Sequence, residues 1–277
     1  MFRHVAIGLL VLAASPALAQ TPAERGGYLV NTVMTCNNCH TPMGPQGPDF
    51  SKALSGGLTF DEPPFKVTAS NIAPDPEPGV GKWTDAQIKT LLRKGTRPDG
   101  VSVAPIMPTG FYEILTEKDL DAIVAYLRTV TPVKNATPAP VYKMAFQRSI
   151  PPGAEKPMAE ADMANPVKRG FYLATAAHCM ECHTPMEKGA HDFKRIGAGG
   201  MEFPGPWGKS VARNITSHKE KGLGAWSDAE IKAAITQGIH RDGSKLKPPM
   251  GYPFYARMTP QDIDAIIAWL RTVPPVE

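Results

Sequence analysis

Long apolar runs are the first thing this sequence lacks. Past residue 14 no stretch approaches the roughly twenty apolar residues needed to span a bilayer, so no transmembrane segment is expected in the mature chain. Charge of one sign is missing too. Residues 20–150 carry 13 basic and 12 acidic side chains, and 151–277 carry 16 and 14. That balance, with no block of like charges, excludes nucleic-acid binding. Strand-like alternation of apolar and polar residues is not convincing anywhere, so sheet is not expected. Four cysteines in 277 residues are too few for a disulfide-built scaffold. Proline, with 29 residues, is plentiful and implies long irregular loops.

Residues 1–19 read as a secretory leader. Arg3 and His4 form the basic start, Val5 to Ala14 the apolar run, and Ala17-Leu18-Ala19 the small-residue cleavage site before Gln20. An apolar run of about ten residues is too short for a membrane anchor, so a periplasmic mature chain is expected.

The four cysteines fall into two copies of one pattern. Cys36-Asn37-Asn38-Cys39-His40 returns as Cys179-Met180-Glu181-Cys182-His183, and each copy is followed by Thr-Pro-Met. Cys-x-x-Cys-His is the attachment signature of c-type haem. Two thiols at this spacing form thioethers to the two vinyl groups of one porphyrin, and the adjacent imidazole reaches the iron from one face. Cys36, Cys39, Cys179 and Cys182 are therefore expected to hold two covalently attached haem c groups, with His40 and His183 on the irons. Two disulfides or a four-cysteine zinc site are the alternatives. Neither explains the adjacent histidines, and zinc would make each copy surrender its own pair.

The duplication extends well beyond the motif. Adding 143 carries Phe50 to Phe193, Gly56-Gly57 to Gly199-Gly200, Asn71-Ile72 to Asn214-Ile215, and the run at Trp83 to that at Trp226, without a net insertion. Helices are predicted from Thr21-Pro22 and Asn165-Pro166 into the two motifs. Others start at the capping boxes Thr84–Gln87 and Ser227–Glu230 and stop at Gly95 and Gly238. The last helices begin near Thr116 and Thr259. Their apolar stripes are Leu120, Ile123, Val124, Leu127 and Ile263, Ile266, Ile267, Leu270. Domains are expected at 20–130 and 165–277. The Pro- and Ala-rich segment 131–164 reads as a linker whose apolar piece, residues 141–146, packs on a domain.

What fills the sixth position on a histidine-held haem iron separates electron transfer from chemistry. Within the repeated segments two methionine pairs obey the offset, Met43 with Met186 and Met107 with Met250. Met43 follows His40 by three residues and stays on its side of the haem. Met107 and Met250 each lie 67 residues past their histidine, in Pro-containing loops that can lay a thioether across the opposite face. Core packing is the other use of such methionines. His178, His191, His218 and His240 have no histidine counterparts and read as surface residues. Trp83 and Trp226 are candidate indole donors to a haem propionate, and Arg97, replaced by His240 in the second copy, is a candidate propionate partner.

With these motifs in place the chain resembles class I c-type cytochromes. More narrowly, it resembles the multihaem cytochrome subunits that accept electrons from periplasmic alcohol, aldehyde and sugar-acid dehydrogenases. The resemblance implies an all-α fold of two tandem cytochrome c domains, each a few helices around one haem, with His40/Met107 and His183/Met250 ligation. It also implies a dehydrogenase as electron donor and a terminal oxidase or another cytochrome as acceptor. Those subunits commonly carry three haems and a C-terminal membrane-associating segment, whereas this sequence shows two motifs and reaches Glu277 shortly after its last helix. The alternative is a dihaem enzyme, such as a peroxidase or a thiosulfate-oxidising cytochrome. Such a design needs two unlike sites, and these two are alike down to the methionine spacing.

Overall fold

A computed structural model describes residues 20–45, 47–205 and 207–277; the expected leader, residues 1–19, lies outside the described residues. The first domain contains helices α1 (Pro22–Tyr28), α2 (Asn37–His40), α3 (Asp85–Lys94) and α4 (Glu117–Leu127). The second contains α5 (Pro166–Ala176), α6 (Cys179–Cys182), α7 (Asp228–Gln237), α8 (Tyr252–Tyr255) and α9 (Pro260–Leu270). The caps are those that the residue types dictate. Thr84 and Ser227 each accept from the third helical N–H while Gln87 and Glu230 reach back, and left-handed Gly95 and Gly238 stop the helices.

Each domain is built on a crossing of its first and last helices, α1 on α4 and α5 on α9. Glycine makes the crossing possible. A Cβ on Gly26 would lie 1.8 Å from the Ala122 carbonyl oxygen, and one on Gly170 would lie 1.9 Å from that of Ala265. Both apolar stripes are buried. Each of these side chains contributes about 1.5–3 kcal/mol of burial.

The glycines correct the repeat. Gly26 and Gly170 are 144 apart, while Ala122 and Ala265 are 143 apart. The first copy thus has one extra residue between its helix crossing and its cysteines. A π-helical turn over Leu29–Val33 absorbs it, where α5 runs on as an unbroken α-helix.

Sheet is present after all, as short antiparallel hairpins. They are β1 (Met43–Gly44) with β2 (Gly47–Pro48), β3 (Thr59–Glu62) with β4 (Phe65–Thr68), β6 (Met186–Glu187) with β7 (Ala190–His191), and β8 (Glu202–Gly205) with β9 (Gly208–Val211). The helices expected are joined by some sheet, which went unseen because strands of two to four residues are too short for a period of two to show. One further strand, β5 (Val141–Tyr142), comes from the segment between the domains and pairs with β4. Phe146 then meets Phe65 edge-on at 6.4 Å. The apolar piece of the linker packs on the first domain.

The domains face each other across a pseudo-two-fold interface. Tyr28 of the first donates its phenol hydrogen to Asp262 Oδ2 of the second at 2.6 Å, and Tyr172 of the second donates to Asp119 Oδ2 of the first at 2.6 Å. Each aspartate is also held within its own domain, Asp119 by Arg25 (2.8 Å) and Asp262 by Arg169. Both carboxylates are buried.

Candidate haem sites

Each Cys-x-x-Cys-His run contains one short helical turn, α2 or α6, that follows the domain's first helix. All four cysteines are free. Burial pushes the thiols of Cys36, Cys39 and Cys179 up to about 12 and that of Cys182 higher still. No group of three or more Cys, His, Asp or Glu side chains in metal-holding geometry occurs among the described residues.

The histidines are oriented alike. His40 Nδ1 lies 2.7 Å from the Ser70 carbonyl oxygen, and His183 Nδ1 lies 2.6 Å from that of Arg213, again 143 residues on. A carbonyl only accepts, so Nδ1 carries the hydrogen and Nε2 keeps its lone pair. Burial lowers both histidine pKa values, against a smaller opposing effect of the carbonyl bond, and favours the neutral ring. A neutral imidazole fixed through Nδ1 is what an iron ligand requires. This donor set, two thiols and an Nε2 lone pair per domain, fits a covalently attached haem.

The carbonyls of Ser70 and Arg213 were missed in the sequence. Their signal was the repeated Asn-Ile pair that follows each. Asn71 ties this turn to the Val133 carbonyl and Asn214 ties its own to that of Val276, while each side-chain oxygen accepts from the backbone two residues on.

Trp83, Arg97 and Ser70 line one cavity of about 380 Å³ in the first domain, so the structure brings these two candidates to the turn that orients His40. Arg97 Nε is buried there, 3.3 Å from Asp99 but without hydrogen-bond geometry, and so has a donor to spare. In the second domain Trp226 meets His240 edge-on at 4.8 Å, in the places of Trp83 and Arg97. Arg128 and Arg271, from the repeated Leu-Arg-Thr-Val helix ends, donate to the carbonyls of Trp83 and Trp226 and hold both tryptophan turns.

Met107 and Met250 are half-buried against the core, each in a turn that its own N–H closes, onto Ala104 O (2.9 Å) and Lys247 O (3.3 Å). Met43 and Met186 are exposed in the hairpins after each motif. The four unpaired histidines are not surface residues as expected; all are half-buried. His178 bonds Glu181 (2.8 Å), His191 stacks on Phe193 and reaches Phe111 of the other domain, and His218 accepts from the backbone of its own turn. Packing between the two copies covers His191, and the other three are held by neighbours in their own domain.

Among the described residues no helix is long and apolar enough to cross a membrane. The family model described as "Cytochrome c" matches twice, at residues 23–131 and 167–274. The chain is 31% identical to the cytochrome c subunit of the quinone alcohol dehydrogenase of Gluconobacter oxydans, over 84% of this chain and 51% of that one. It is 30% identical to the fructose dehydrogenase cytochrome subunit of Gluconobacter japonicus, over 94% and 54%. With the protein named "Diheme cytochrome c-type" of Cereibacter sphaeroides it shares 32% identity, over 87% and 83%. The chain thus spans little more than half the length of those dehydrogenase subunits. Two matches of one family model, each enclosing a cysteine motif and its carbonyl-held histidine, show that the chain belongs to the cytochrome c family, with the domain present in tandem.

Proposed function

We propose that the chain is an exported dihaem c-type cytochrome that passes single electrons, from a periplasmic dehydrogenase towards a terminal oxidase or another cytochrome. In this reading the leader is removed and domains 20–130 and 165–277 each hold one haem c. The thioethers form at Cys36 and Cys39 and at Cys179 and Cys182. His40 and Met107 hold the first iron, and His183 and Met250 the second. Haem c supplies the one-electron couple, and a Met/His ligand pair places its potential high relative to two imidazoles. Trp83, Trp226 and Arg97 hold propionates at the edges of the sites. The protein's own part is to orient the imidazoles, exclude water and fix the sixth ligand.

The observation that carries this reading is the sameness of the two sites. Each has the same histidine-to-carbonyl bond and the same methionine 67 residues on. A catalytic dihaem protein needs one open or unusual iron. The dehydrogenase as donor rests on the similarity to cytochrome subunits of dehydrogenases. The test is the spectrum of the holoprotein. Both haems are expected low-spin, and Met107→Ala and Met250→Ala are each expected to remove about half of the Met–iron charge-transfer band. A native high-spin haem that binds peroxide readily would overturn the carrier reading. Co-purification from periplasm names the donor.

A further inference from the structure

The segment between the domains reaches the loop that carries Met107. At the end of α3, a Cβ on Gly95 would meet Thr109 Oγ1 at 2.7 Å and Arg148 Cδ at 3.4 Å. Arg148 fills this notch with its guanidinium. Its Nε donates to Thr109 Oγ1 at 3.0 Å, and its Nη2 donates to the Thr109 carbonyl at 2.9 Å and to the Arg93 carbonyl. Both Nη atoms lie 3.2 Å from Oε1 of Glu113, a residue only 4% exposed. Thr109 N–H in turn donates to the Met107 carbonyl at 2.7 Å. The chain next to Arg148 is pressed in as well, since a Cβ on Gly110 would lie 1.9 Å from the Ser149 carbonyl oxygen. A single linker side chain thus ties the backbone two residues past Met107 to a buried carboxylate and to the end of a helix.

Among the described residues the second domain has no such side chain, and the side-chain partners Thr109 and Glu113 are gone. The offset takes Thr109 to Tyr252, Gly110 to Pro253 and Glu113 to Ala256. The notch at Gly238 is filled instead by the Tyr252 ring, which a Cβ there would meet at 2.6 Å. Where the first domain borrows an arginine from the linker, the second fills the same space from its own methionine loop.

We infer that Arg148 is a positioning residue for the first haem, holding the Met107 loop closed over the iron, and that Tyr252 has this duty at the second. The inference rests on Met107 and Met250 as sixth ligands. A guanidinium fork between two acceptors fixes geometry as well as charge, and Lys cannot reproduce it. Without it Glu113 keeps only Lys94, and the loop opens more often, which exposes the iron to outside ligands.

The test uses the ferric holoprotein with imidazole as the probe ligand. Arg148→Ala is expected to let imidazole displace the methionine at one haem at least about tenfold more readily, the factor carried by one charge-assisted hydrogen bond. The other haem keeps its affinity and its share of the Met–iron band. Arg148→Lys restores only part, and Tyr252→Ala moves the opposite haem. A folded Arg148→Ala protein with both haems unchanged overturns the inference, as does one in which both haems loosen equally. Met107→Ala separates the two levels. If it halves the band while Arg148→Ala changes nothing, only the clamp falls. If it leaves the band whole, the ligand assignment falls and the clamp with it. Should Arg148→Ala not yield holoprotein, Thr109→Val removes one acceptor and is expected to act in the same direction, and no change there rejects the clamp.

Discussion

The first domain and the second share the frame around the proposed iron and differ in what stands around and behind it. Both fix a histidine through a carbonyl 30 residues on, cross two helices at a glycine, and hold a tryptophan turn with an arginine. They part at the first helix, where one has a π turn and the other does not. They part again at Arg97 against His240, and behind the methionine loops, where one has Arg148 and the other Tyr252. Ligands to an iron need particular atoms at particular distances, so a duplicated domain keeps them. Support needs only a filled volume and satisfied donors, so different residues, from different parts of the chain, serve.

The largest effect that tests this comparison is expected at the helix crossings. Gly26→Ala and Gly170→Ala each force a Cβ onto a carbonyl oxygen, at a cost on the order of 4 kcal/mol or more, so each should disrupt its own domain. Denaturant unfolding with haem content checks it, and a tolerant domain would show that the crossings are not equivalent. Next come the interface carboxylates. Asp119→Ala and Asp262→Ala each leave an arginine and a tyrosine hydroxyl without their acceptor, at a cost of about 3 kcal/mol, and both should loosen the same interface. Scattering together with thermal unfolding reads this, and only one of the two having an effect would break the pseudo-symmetry.

Alkaline pH should act on the same contact. Burial first, then the bond to Asp262, pushes the Tyr28 phenol up to about 12, and Tyr172 is also raised by burial and Asp119. The folded state therefore keeps these protons where the unfolded chain has lost them. Stability is full below the ordinary tyrosine value near 10 and falls as pH rises towards 12. Tyr28→Phe should flatten part of that decline in a pH series of unfolding midpoints. The smallest effect is at the caps. Thr84→Ala and Ser227→Ala should each cost about 1 kcal/mol, and a marked difference between them would locate an asymmetry in the middle helices.

Much of this architecture is legible in the sequence. The capping boxes, Gly95 and Gly238, and the two apolar stripes are local signals, because a cap or a stripe depends on residues within a turn or two. The extra residue in the first copy was hidden, since Gly26 and Gly170 gain meaning only against Ala122 and Ala265. The two-residue strands were hidden because they carry no period. The tyrosine–aspartate exchange was hidden because its partners lie 234 and 53 residues apart.

The sequence by itself determined the two Cys-x-x-Cys-His motifs, their place in a tandem repeat and the ends of the main helices. Each of these follows from residue types at short fixed spacings, where covalent geometry leaves little choice. Only the tertiary structure decided which carbonyl orients each histidine, how the two copies face each other, and that Arg148 packs on the loop after Met107 and does not hang in a loose tether. Those depend on where distant backbone arrives, and arrival is set by packing of the whole core.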